Sequence, residues 1–109
     1  MAIPHAKPME PVNVRPLGDR LSTAQTTTLV KTDDLEVIRL VVPAGKEIAR
    51  HAVPGEITLQ CLEGKVRFGG DKSECMLSAG ELIYARGAEA HSLHAEVDSS
   101  LLLTILLRG

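Results

Sequence analysis

The chain reads as an all-β protein, a sandwich or barrel of many short strands. Three observations carry that expectation. Apolar or alternating runs recur at residues 26–31, 35–42, 47–51, 57–63, 65–68, 74–77, 82–85, 91–97 and 101–107. Their β-branched and aliphatic content suits a pleated, half-buried surface. Turn signals built on Gly, Pro and Asp separate them at spacings of about ten residues, and no long segment carries an amphipathic helical period.

Taken in order, the chain opens with an arm over residues 1–25 that holds Pro4, Pro8, Pro11 and Pro16. Proline fixes φ and withholds a backbone donor, so this stretch is expected to be extended, and able to lie along a partner subunit's sheet. A single domain over residues 26–109 follows. Thr32, Asp33 and Asp34 supply side-chain oxygens that bond to nearby backbone and turn the first run into the second. Pro43 to Gly45 and Val53 to Gly55 pair proline with glycine at the next breaks. Gly69, Gly70, Asp71 and Lys72 read as a hairpin tip, where positive φ is needed. The last run, from Leu101 to Leu107, lacks alternation and fits a helix or a strand buried on both faces; the strand is favoured, because a sandwich or a dimer contact supplies the second apolar surface.

Bulk numbers exclude several functions. At 109 residues the chain is one ordinary domain that can bury a core without metal or disulfide staples. Twelve basic and fourteen acidic side chains give a formal charge of -2, which makes no field for nucleic acid or an anionic membrane. One Phe, one Tyr and no Trp leave no stacking platform for single-stranded nucleic acid. No segment has the roughly 20 apolar residues of a membrane helix, and no signal-peptide core opens the chain, so a cytoplasmic location is expected. Cys61 and Cys75 match no paired-cysteine pattern and are read as two reduced core thiols.

Two segments carry the candidate chemistry. In the first, Gly45 is followed after five residues by His51, then Val53, Ile57 and Gly64. In the second, Gly80 is followed by Arg86, Ala88, His91 and Ala95. Their order and spacing resemble the two motifs of the cupin superfamily, whose members fold as double-stranded β-helix, or jelly-roll, barrels. Over the first motif the glycines and the first His match, while Val53 stands for the second His and Ile57 for the Glu. Over the second, Gly80 and His91 match, and Arg86, Ala88 and Ala95 replace Pro, Gly and Asn.

The resemblance spans roughly residues 35–107 and implies a barrel whose interior holds a divalent metal or a small ligand. Carried over position by position, it leaves His51 and His91 as imidazole donors for zinc, nickel, iron or manganese. Glu56, beside the position of the family Glu, is the candidate third donor, provided that a bulge near Pro54 and Gly55 turns it inward. Strand alternation otherwise sets Glu56 and Gln60 on the face opposite Ile57, and His94 opposite His91. Tyr84, Arg86 and Gln60 are the candidate ligand-binding residues: a phenol that seeks a hydrogen-bond partner, a guanidinium fork for a carboxylate, and an amide. His5 sits in the proline-rich arm, away from both motifs.

The expected function is small-molecule binding, with or without a metal, in a homodimer whose exposed sheet edges are covered. A metal-dependent enzyme of dioxygenase or isomerase type is the alternative, and a ligand-free sensor or interaction module is the third.

Overall fold

The computed structural model describes residues 5–70 and 73–107. It contains nine strands: β1 (Thr27–Lys31), β2 (Leu35–Val42), β3 (Glu47–His51), β4 (Ile57–Glu63), β5 (Lys65–Gly69), β6 (Glu74–Ser78), β7 (Leu82–Ala85), β8 (His91–Ala95) and β9 (Ser99–Leu106). The expected runs are all strands, and four of them, β2, β3, β4 and β7, keep the expected bounds. Asp71 and Lys72 of the expected hairpin tip lie outside the described residues.

Two antiparallel sheets face each other. The larger has the order β1-β2-β9-β4-β7 and the smaller β3-β8-β5-β6, so sequential strands alternate between sheets from β2 to β5 and from β6 to β9, as in a jelly roll. The C-terminal run is a strand, as favoured, and lies at the centre of the larger sheet between β2 and β4. Along β4, Ile57, Leu59 and Cys61 are buried and face inward, and their partners Leu103 and Leu101 on β9 share that face. Across the interior, Val66, Phe68, Leu93 and Ala95 from the smaller sheet close the core.

One end of the molecule is closed by polar groups. The chain turns from β4 to β5 at Gly64, whose φ of 91° is left-handed, and a β-carbon there would overlap Ser99 Oγ and the Asp98 carbonyl. Ser99 Oγ in turn accepts from Lys65 N–H at 3.1 Å and donates to the Val97 carbonyl at 2.7 Å. This corner ends β8 at Ala95, two residues before the expected end, and starts β9 at Ser99. Asp98 fixes the bend by accepting the Ala44 N–H at 2.8 Å.

The arm departs from the expected extended form. Gly18–Thr23 makes a 3-10 turn that buries Leu21. Next to it, the Glu63 carboxylate accepts the Leu17 and Gly18 N–H groups at 2.8 and 3.1 Å and the Ser100 hydroxyl at 2.5 Å. Arg39, buried beneath this segment, donates Nη2 to the Arg15 carbonyl at 2.9 Å. Farther out, Ala6 N–H donates to the Leu29 carbonyl, so the arm runs against β1 of its own chain. Cys61 is a core thiol, as expected, but Cys75 is exposed on the edge strand β6 and is corrected on that point.

Candidate functional site

The site begins with a bulge in β3. Ile48 pairs with Leu93 and His51 with His91, so three steps along β3 match two along β8. The extra residue sets His51, rather than Arg50, at the register position opposite His91. The side chain of His51 lies outside the described atoms. Burial alternates along β8 so that His91, Leu93 and Ala95 face the core, and His91 retains only 7% exposure. His94, on the opposite face as expected, stands 4.0 Å from Glu96.

Phe68, the chain's one phenylalanine, stacks on His91 with ring centroids 5.3 Å apart and planes at 25°. These two rings are shared by two hollows. The inner one, of about 130 Å³, is walled by Leu40, Ile48, Ile57 and Leu59 on one side and Leu93, Leu103, Phe68 and His91 on the other. The outer one, of about 110 Å³, adds Ser73, Cys75, Tyr84 and Glu89 to the same two rings. An apolar chamber and a polar vestibule thus meet at one imidazole. Among the described residues, the imidazole is the single polar side chain on the wall of the inner chamber.

The expected site residues separate on this geometry. His91 is at the centre, and Tyr84, half exposed at 53%, borders the vestibule. Ile57, in the position that the resemblance gives to the family Glu, lines the chamber as carbon. Val53 is half-buried against the core, and its carbonyl accepts Ala88 N–H at 2.7 Å. Glu56 is exposed and borders neither hollow; the bulge that was to bring it inward lies in β3 instead. Gln60 pairs with Leu82 on the outer face of the larger sheet, as alternation requires, and Arg86 is exposed on the loop after β7, where its N–H donates to Glu89 at 3.2 Å. His5 is exposed within the arm.

Sequence reasoning missed Phe68, Glu89 and Cys75. Cys75 had a signal, since it is set opposite Phe68 in the β5–β6 register. Glu89 had none, because it lies in a loop whose path depends on Gly87 passing the Pro54 carbonyl closely.

No family model matches the chain, and no curated protein matches it in sequence. Solved structures do match. A conserved protein of unknown function from Streptococcus pyogenes aligns over 100% of this chain and 99% of its own, with 23% identity and a TM-score of 0.76. A cupin superfamily protein from Desulfitobacterium hafniense DCB-2 aligns over 88% of this chain and 94% of its own, with 14% identity and a TM-score of 0.75. The chain has the cupin fold. Among the solved structures that it resembles is also an enzyme, a mutant salicylate 1,2-dioxygenase from Pseudoaminobacter salicylatoxidans, with 22% identity, a TM-score of 0.67, and coverage of 73% of this chain and 25% of that one.

Cupin enzymes with a resident metal need three or four protein donors. Among the described residues no group of three or more His, Cys, Asp or Glu side chains is placed to hold an ion. On the inner side the walls around His91 are aliphatic or aromatic carbon, while on the outer side Ser73, Cys75, Tyr84 and Glu89 stand near it. Carbon walls leave a cation's charge without compensation, which is costly in a dry interior. The three motif glycines keep their structural role, with φ of 80° at Gly45, 91° at Gly64 and 89° at Gly80. Ala88, where the motif has glycine, holds the left-handed φ of 64° with a β-carbon attached.

Proposed function

We propose that this cupin binds a small, largely apolar molecule in the inner chamber, with one polar atom of the ligand against the His91 imidazole. The supporting observation is the chamber itself. Its 130 Å³ lies close to the roughly 150 Å³ of an engineered apolar cavity that takes up benzene, so a single ring or a compact branched chain of about six heavy atoms fits. Seven of its eight wall residues are hydrophobic, which favours the ligand's body by removing apolar surface from water. His91 supplies orientation, since a polar group in an apolar pocket fixes which end of a ligand enters first. Tyr84, Ser73 and Glu89 border the way in. Arg86 and Gln60 border neither hollow and are assigned no contact with this ligand.

Thermal-shift measurements with phenol, benzoate, cyclohexanol and glucose test the reading. A ligand that prefers the folded state raises the midpoint in proportion to the logarithm of its concentration. The expected order puts phenol and cyclohexanol first and glucose without effect. A shift with glucose alone would move the ligand from the chamber to a polar surface.

The register that sets His51 opposite His91 favours one second reading, a divalent metal held by this imidazole pair with solvent or substrate completing the shell. In that reading a metalloenzyme of dioxygenase or isomerase type is the alternative function. Metal content of untagged protein separates the two. Stoichiometric metal that disappears in His91→Ala supports the metal reading, and equal trace content in both forms removes it.

A further inference from the structure

We infer that Glu89 selects the charge of what enters the outer hollow, and that the ligand's polar end is a protonated amine and not a carboxylate. The inference rests on the chamber reading and adds to it a chemical class. Its basis is the charge around the hollow. Among the described residues that border this space of about 110 Å³ there is one carboxylate, Glu89, and no Lys or Arg. Arg86, the cation that the sequence offered for a carboxylate ligand, is exposed on the same loop and borders neither hollow. The loop thus presents its acid to the hollow and its base to solvent.

Backbone geometry holds the acid in place. Glu89 N–H donates to the Arg86 carbonyl at 3.4 Å while Glu89 Oε1 accepts the Arg86 N–H at 3.2 Å, a reciprocal pair that ties the side chain to its own turn. The turn is tied in its place to the segment before β4. Ala88 N–H donates to the Val53 carbonyl at 2.7 Å, and Gly87 passes the Pro54 carbonyl too closely for a β-carbon. To make this turn Ala88 adopts its left-handed φ of 64°, a conformation disfavoured for a residue with a β-carbon.

The charge of Glu89 is not spent on a partner. Ion pairs among the described residues use Glu36, Glu74 and Glu96, whereas Glu89 gives one oxygen to an amide. A carboxylate at the edge of a small hollow attracts a cation and repels an anion, and the carbon walls of Phe68, Ile83 and Ala85 screen that field less than water does. An ammonium group arriving beside His91 can donate a charge-assisted hydrogen bond to the other Glu89 oxygen. A carboxylate of the same size meets like charge, and no cation among the described residues borders the hollow to receive it.

The test is calorimetric titration of three ligands that share a benzyl body, namely benzylamine, benzyl alcohol and phenylacetate, at about pH 8, where free imidazole is neutral. In the wild type at low salt the amine should bind about tenfold more tightly than phenylacetate. Glu89→Gln keeps an oxygen for the Arg86 N–H and removes the charge. It should weaken benzylamine about threefold, strengthen phenylacetate about threefold and leave benzyl alcohol unchanged, the size of effect expected for a partly exposed charge. Salt at about 1 M should compress the wild-type difference in the same way without any substitution. If benzyl alcohol binds and the amine has no advantage over phenylacetate, this inference is overturned and the chamber reading stands. An advantage that persists in Glu89→Gln overturns it as well. Should none of the three bind, benzyl alcohol included, both readings fall.

Discussion

The two ends of the barrel bury polar groups in opposite ways. At the closed end, Glu63 is half-buried and its oxygens are used up by the N–H groups of Leu17 and Gly18 and the hydroxyl of Ser100. At the other end, His91 is more deeply buried, and much of what it faces is carbon: the ring of Phe68 and the aliphatic wall of a hollow. A polar group whose bonds all go to its own chain fixes structure. Glu63 thus closes a corner of the fold, while His91 stands on the wall of a hollow the size of a small ligand.

Substitutions can break this contrast at either end. The largest effect is expected from Gly64→Ala, which combines a left-handed φ with overlap of Ser99 and Asp98 and should cost about 3 kcal/mol or more in denaturant unfolding. A loss below about 1 kcal/mol would mean that the closed end adjusts freely. Next is Glu63→Ala, which strands two amides, a hydroxyl and the Arg39 charge, at a cost of about 2–3 kcal/mol near neutral pH.

Acid should mimic that substitution. Burial alone would raise the Glu63 carboxyl, but the Leu17 N–H, the Ser100 hydroxyl, the Gly18 N–H and the Arg39 charge together hold it below its ordinary value. A carboxyl lowered on folding stabilises the protein above its unfolded value of about 4.5 and ceases to do so as pH falls through the lower, folded value. The wild type and Glu63→Ala should therefore converge in stability below about pH 4. An unchanged gap between them at pH 3 would remove Glu63 from this role.

At the functional end the effects on stability should be smaller. His91→Phe preserves a ring beside Phe68 and is expected to alter stability by no more than about 1 kcal/mol. It should weaken a polar ligand about tenfold while leaving benzene binding nearly unchanged. Equal loss for both ligands would mean that His91 shapes the chamber and does not orient the ligand. The smallest effect belongs to Ala88→Gly, which relieves a left-handed alanine and should add about 0.5 kcal/mol, the relief being partly offset by the greater freedom of glycine when unfolded.

Much of the fold was legible because short-range chemistry sets it. Alternation in 57–63 and the glycines at 45, 64 and 80 are local signals, and the strands and turns formed there as read. The 3-10 turn at Gly18–Thr23 was not legible, since it is held by Glu63 from a distant strand and has no strong pattern of its own. The site was legible in part. His91 was found through its motif position, and the carbon character of the chamber was already present in Val53 and Ile57. The bulge in β3, Phe68 and Glu89 depend on how strands and loops meet, which spacing along the chain does not encode.

The central claim is that the chamber beside His91 takes up a small apolar ligand. Calorimetric titration of phenol into the wild type and into Leu103→Phe, which fills the chamber from β9, tests it most directly. One site per chain in the wild type and none in the filled variant is the predicted result. Equal binding by both proteins, or by neither, would contradict the account.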